Sequence, residues 1–323
     1  MVQIWCRSRW SGTRFAPESF VSFPGLFQKV IMRWSSVPIV VLVAGLTVSS
    51  FPPRLHAQAD TTTNEVSLSA LPAVDAWRTI HALRVCGDPD NMPFSDSLRQ
   101  GFEDKIADVI AKALGDSVTY VWWPHRRGFV RSTLSARTCD VVMGLPTGYD
   151  PVLETKPYYR STYYAVSRED RHIMISSLND PALRTLQIGV SLIGEDYTNT
   201  PPSEALSARG IVKNVHGYSS FYDPENNPND IMNAVISGTV DVALVWGPTA
   251  GYYAKLSSVP LRLTALPDSD STGIPFAYDV ALGVRHSDRE FRDKLNEILE
   301  QQHDEIQQIL HEFNVPMLPI TPH

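Results

Sequence analysis

The run Arg137-Thr-Cys-Asp-Val-Val-Met-Gly-Leu-Pro-Thr-Gly-Tyr149 is echoed, with a two-residue slip, by Gly238-Thr-Val-Asp-Val-Ala-Leu-Val-Trp-Gly-Pro-Thr-Ala-Gly-Tyr252. Each copy reads as the end of a helix, a tight turn, an aspartate, a buried strand and a Gly/Pro loop. One plan used twice predicts two lobes. The 323-residue length accommodates them, since a domain takes about 100–200 residues.

The flanking patterns extend each copy. In the first half, Leu83–Gly87 reads as a strand. A helix is predicted over Phe102–Leu114, with Phe102, Ile106, Val109, Ile110 and Ala113 on one face and Gly115 after its end. Glu103 and Asp104 suit its positive N-terminus. A strand at Val118–Trp123, a helix at about Gly128–Ala136 and a strand at Asp140–Gly144 complete a β-α-β-α-β order, which implies parallel strands with helical crossovers. In the second half the strands are expected at Leu186–Val190, Ile211–Val215 and Val240–Trp246, with a helix at Asp230–Ser237 ended by Gly238.

A further strand, Phe276–Val284, leads to a long helix from Asp288 to about Phe313, with Ser287 and Glu290 as a capping-box pair. That segment is expected to return to the first lobe. Lobe 1 then comprises 81–167 and 276–316, and lobe 2 comprises 168–275. Two crossovers, near 164–172 and 272–280, make a hinge with the ligand site in the cleft between lobes.

The N-terminus reads differently. Residues 37–49 form a short apolar run behind Arg33, followed by Ala57-Gln58-Ala59. A bilayer span needs about 20 apolar residues, so this layout is that of a secretory signal, expected over 32–59 with Met32 at its start. Residues 1–31 read as an upstream extension or an over-called start, and 60–80 as a polar leader. The rival reading is an uncleaved anchor. Export places the protein in the periplasm.

Cleavage before Asp60 would remove six bases and one acid, Glu18, taking Lys/Arg from 28 to 22 and Asp/Glu from 35 to 34, a net of −12. Such a charge speaks against nucleic acid. Cys86 and Cys139 remain, on neighbouring strands of one lobe. A disulfide and two buried thiols both satisfy that placement, and the Cα separation decides between them.

No Gly-x-Gly-x-x-Gly, Walker loop, Gly-x-Ser-x-Gly or His-Glu-x-x-His occurs, and the nine histidines show no metal-ligand spacing. No catalytic residue and no metal site is expected. Ligands of open α/β sheets collect beyond the carboxyl ends of the strands. Four loops qualify. They supply Asp88, Asn91 and Phe94; then Trp123, Arg126 and Arg127; then Pro146, Thr147 and Tyr149; then Trp246 and Pro248. Arg126 and Arg127 precede a helix, where the dipole disfavours cations, so either an anion or solvent balances them. Trp123 offers a stacking face. Tyr158, Tyr159 and Arg160 join the candidates at the first crossover, where packing around the hinge is favoured over ligand stacking. The long polar connector Phe221–Asp230 reads as a docking surface or as surface slack.

Six segments together resemble one family. They are Leu83–Ser95, Gly101–Ala107, Trp122–Phe129, Cys139–Pro146, Pro157–Tyr163 and Val245–Tyr252. The family is the quinoprotein-dehydrogenase-associated solute-binding proteins, the J-type accessory proteins of methanol dehydrogenase clusters, and the match covers about residues 82–316. The resemblance implies a type II periplasmic binding protein fold. It also implies partnership with a PQQ-dependent alcohol dehydrogenase or its cytochrome c. Amino-acid-binding relatives hold the ligand carboxylate with an Arg after the third strand and the amine with an Asp after its counterpart. Here Leu145–Tyr149 carries no Arg and Trp246-Gly-Pro248 no Asp.

Three functions follow as expectations. The first is an accessory protein binding the dehydrogenase, with pyrroloquinoline quinone (PQQ) as a ligand at Trp123, Arg126 and Arg127 and no tightly held cofactor. The second is the receptor of an ABC importer for a small non-amino-acid metabolite. The third, an enzyme such as a dehydratase, needs a cleft carboxylate of raised pKa.

Overall fold

The computed structural model describes residues 82–125, 127–193, 198–219 and 229–321. The expected signal and leader, Arg126, and residues 221–228 of the polar connector lie outside them.

The first half runs β1 (Ala82–Gly87), β2 (Asp90–Asn91), β3 (Ser95–Asp96), α1 (Phe102–Leu114), β4 (Ser117–Trp122), α2 (Phe129–Ser132), β5 (Val141–Pro146) and β6 (Leu153–Glu154). After β7 (Tyr159–Arg168) the second half adds β8 (Ile188–Ile193), β9 (Thr198–Asn199), α3 (Pro201–Ala208), β10 (Val215–Ser219), α4 (Asp230–Ser237), β11 (Val242–Trp246), α5 (Gly247–Leu256) and β12 (Leu261–Ala265). The chain then rejoins the first half through β13 (Ala277–Val284), α6 (Arg289–Gln301) and α7 (His303–Glu312).

Eight strands lie in the order β10-β8-β11-β7-β13-β5-β1-β4, with β12, β6 and β9 attached at β7, β13 and β8. β1 is parallel to β4 and β5, and β8 is parallel to β10 and β11, so both copies of the plan carry the parallel core expected of helical crossovers. β7 joins them. Its residues 159–162 pair with β13, whereas Tyr163–Ser167 pair with β11 and Tyr164–Arg168 with β12.

The two echoed aspartates have equivalent jobs. Asp140 N–H donates to Arg84 O (2.7 Å) and Asp241 N–H to Gln187 O (2.8 Å), each tying the start of one strand to its neighbour. Their carboxylates then accept from cations: Asp140 from Arg84 and Arg285, Asp241 from Arg171. Cys86 and Cys139 form a disulfide with a Cα separation of 5.4 Å, which decides between the two sequence readings.

Helices α1 and α4 occupy the predicted spans. In α1 the Asp104 carboxylate accepts the Gly101 and Asp96 N–H groups, and Gly115 closes the end at φ 76°. Ala113 faces solvent rather than the stripe.

Other elements differ from expectation for local reasons. The helix at 128–136 is only α2, because Thr133 leaves helical geometry and bonds its hydroxyl back to Phe129 O. The strand at 211–215 begins at Val215, since Asn214 spends its amide on Leu183 and Leu186 carbonyls. The long C-terminal helix breaks at Gln302, and α6 and α7 each pack on α1. Ser287 does not cap it: Asp288 occupies the N-cap and pairs with Arg285 at 2.6 Å. One apolar cluster runs through both halves, from Leu83, Phe102 and Ile298 through Tyr159, Tyr163 and Trp246 to Ile188, Leu206 and Leu244.

Candidate functional site

The loops beyond β1 and β4 are stitched together by backbone donors. The Asp88 carboxylate accepts the N–H of His125 (2.6 Å) and of Asp90 (3.0 Å), and Trp123 N–H donates to Gly87 O (2.8 Å). Burial raises the Asp88 pKa against those hydrogen bonds. Gly87 is required here, because a Cβ would lie 2.7 Å from the Trp122 ring, which stacks on Tyr120 at 4.3 Å. Burial also holds the His125 imidazole well below its usual pKa, with Nε2 lacking a protein partner and the ring edge-on to Phe129. The stitched loop projects Trp123, 46% exposed, beside exposed Arg127. Asn91 forms the turn that Phe94 N–H closes, and Phe94 itself is buried against Phe102 at 5.3 Å.

The third loop satisfies itself. Pro146 is the buried last residue of β5, Thr147 N–H donates to Asp279 O, and the Glu154 carboxylate accepts the Gly148 and Tyr149 amides. Tyr149 packs on the cluster of Phe129, Val130, Leu145 and Val152. These amides are therefore engaged by Glu154 rather than presented to a ligand.

At the crossover, packing dominates. Tyr158 and Tyr159 are buried, and the Trp246 indole donates to the Tyr159 hydroxyl. Trp246 lies 5.4 Å from Tyr163 and 6.0 Å from Tyr278. Arg160 bonds Asp268 (2.9 Å) and Asp279 (3.2 Å). Pro248 stands in the first turn of α5, a position suited to a residue without an N–H, so the expected loop after Trp246 is a helix. Gly247 permits it, for a Cβ there would meet Ser161 Oγ at 2.2 Å.

The sequence placed Glu103 only as a partner of the helix dipole, not at a site. It is buried at the start of α1, its Oε1 lacks a protein partner, and burial pushes its pKa up to about 8. Its charge also raises Tyr158 and Tyr159, after the larger effect of burial. An acid in a first helical turn reads as a dipole partner, and its burial near Tyr158 and Tyr159, which are remote in sequence, shows only in the fold. Among the described residues no three His, Cys, Asp or Glu side chains gather to hold a metal.

No family model matches the chain. Protein MoxJ of Methylorubrum extorquens is 32% identical over 304 residues, covering 90% of this chain and 97% of that protein. The chain belongs to the MoxJ family. A solved structure points the same way for this MoxJ-family protein: the periplasmic binding protein XoxJ from Methylobacterium extorquens AM1 is 34% identical, with a TM-score of 0.61 over 74% of this chain and all of that one. The fold is thus the type II periplasmic binding protein fold that the sequence implied. An ancestral cationic amino acid solute-binding protein shares it at 22% identity, covering 72% of this chain and 96% of that one, with a TM-score of 0.58.

In this MoxJ-family member the candidate set divides by exposure. Trp123 and Arg127 lie at the surface, Asn91, Thr147 and Tyr149 are partly covered, and Phe94, Tyr158, Tyr159 and Trp246 belong to the apolar interior.

Proposed function

We propose that the chain is a non-enzymatic periplasmic accessory protein of a PQQ-dependent methanol or alcohol dehydrogenase system, docking on the dehydrogenase or its cytochrome c. The observation that carries this reading is the 32% identity to MoxJ, which extends over nearly the whole of both chains. In this reading the export signal at 32–59 delivers the protein to the periplasm and is its only membrane contact. The expected net charge of −12 after cleavage leaves nucleic acid aside.

PQQ is the proposed ligand. A flat ring bearing three carboxylates needs an aromatic face and cations. Trp123 and Arg127 supply both at the surface, with Arg126 next in sequence. The buried aromatics do not. The residues therefore suit a surface contact with the cofactor rather than an enclosed cofactor site.

A pulldown with the tagged chain from periplasmic extract of methanol-grown cells tests the partner. It should recover a PQQ dehydrogenase or its cytochrome. Recovery of neither, with a small molecule retained through purification, would favour an importer receptor, the reading that the fold shared with solute-binding proteins supports. Fluorescence titration tests the ligand. Arg126→Ala with Arg127→Ala should weaken PQQ binding, and unchanged affinity, or none in the parent, would remove PQQ from the reading.

A further inference from the structure

The chain beyond α7 is organised in a way that neither the repeated plan nor family membership explains. Asn314 turns it with a left-handed backbone (φ 55°), Val315 is buried, and the following residues cross over β7. Ser161 Oγ donates to Pro316 O (2.6 Å), Leu318 N–H donates to Arg160 O (2.8 Å), and Thr321 N–H donates to Asp279 Oδ1 (3.2 Å). The Arg160 guanidinium bonds Thr321 Oγ1 as well as Asp279 in β13 and Asp268 in the run returning from the second half. One segment thus reaches both connections between the halves.

The same region grips the second half directly. Asn314 Nδ2 donates to Gly251 O in α5 (2.8 Å), and Lys255 Nζ donates to Glu312 O (2.7 Å). The Tyr252 ring stacks on Phe313, with centroids 5.8 Å apart. The approach is close enough that a Cβ on Gly251 would lie 2.0 Å from Asn314 O, so this contact tolerates no side chain. Next to Tyr252, Tyr253 OH reaches Met92 O in the first half (3.4 Å).

We infer that Glu312–Thr321, which grips α5 through Glu312–Asn314 and is anchored on β7 and β13 through Pro316–Thr321, is a latch that holds the two halves in one arrangement without a bound solute. A receptor that closes on its solute must populate an open state, which requires hinge strands free to change φ and ψ. Opening here must separate Asn314 from Gly251 and Glu312 from Lys255 and unstack Tyr252 from Phe313 together, while the strap's bonds to Arg160 and Ser161 hold that segment in place on β7. These contacts are short, mutually supporting and made by the chain itself. The protein consequently presents a fixed outer surface, as a docking component requires, rather than one that a metabolite switches. The inference rests on the contacts alone and stands or falls independently of the dehydrogenase reading.

Electron-spin distance measurements test it. Nitroxides are placed at the exposed positions Lys112 and Lys213, one in each half, in the full chain carrying Cys6→Ser. With no solute added, the parent should give a single narrow distance. Deleting residues 316–323 should add a second, longer distance that the parent lacks. Circular dichroism reports whether the deletion folds, and the pair Asn314→Ala with Ser161→Ala, which keeps the whole chain, should show the same added distance. Two distances in the parent, or an unchanged single distance in folded variants, would overturn the latch.

Discussion

The carboxylate of Asp88 accepts the backbone N–H of His125 at 2.6 Å, joining the loop after β1 to the loop after β4 and fixing where Trp123 stands. A carboxylate spent on two amides is a structural pin, whatever else its loop contacts. Asp88→Ala leaves those amides without their acceptor and should cost about 1–3 kcal/mol. Hydrogen exchange at the His125 amide should speed up, and an unchanged rate would show that the pin is dispensable.

Trp123 is the exposed element of that loop. Its removal by Trp123→Ala should leave the melting temperature near that of the parent while weakening recovery of the dehydrogenase in the pulldown. Undiminished recovery would move the docking surface elsewhere.

Glu103 makes stability depend on pH. Its folded pKa, about 8, lies above its unfolded value, so the folded state keeps a proton that the unfolded chain gives up. Stability is fully present below the unfolded pKa, near 4.5, and falls as pH rises toward 8, by roughly 5 kcal/mol at most. Glu103→Gln should flatten that slope and melt higher than the parent at pH 8, with little difference at pH 4.5. Parallel melting curves across this range would count against a protonated Glu103.

The Arg160–Asp279 pair is mostly buried, at 13% and 6% side-chain exposure. Arg160→Ala removes the cation that the buried Asp279 carboxylate faces and should cost about 3 kcal/mol. Asp279→Asn in the same background should recover part of that loss in urea unfolding. No recovery would mean that the cost lies in the lost contact to Asp268 or Thr321 instead.

The disulfide closes a loop over a sequence separation of 53. Replacing both cysteines with serine should cost about 3–4 kcal/mol, read as a lower urea midpoint that reductant does not shift further. A midpoint equal to that of the oxidised parent would show that the link adds nothing to stability.

Several local signals were sufficient by themselves. The α1 span is set by its stripe, by Asp104 at the start and by Gly115 at the end, all within one turn of the residues they cap. The span of α4 is set in the same way by Asp230 and Gly238. The echo of Asp140 at Asp241 announced two copies of one parallel plan, because each aspartate serves a neighbouring strand. The site was less legible. Phe94 and Trp123 both read as aromatic residues on loops at strand ends, yet one packs on Phe102 and the other faces solvent.

What the sequence by itself determined was the set of elements whose signals are short-range: the repeated strand plan, α1, α4 and the family resemblance of their loops. What only the tertiary structure decided depends on residues far apart in the chain. The Cys86–Cys139 bond needed the Cα atoms of Cys86 in β1 and Cys139 just before β5 brought to 5.4 Å, and the charge of Glu103 acts on Tyr158 and Tyr159, more than fifty residues away in sequence. The helix at Gly247–Leu256 needed Ser161 and Asn314 to leave room only for glycine at 247 and 251. Helical propensity and capping act over a few residues, whereas burial and close approach are set by partners that no window along the chain contains.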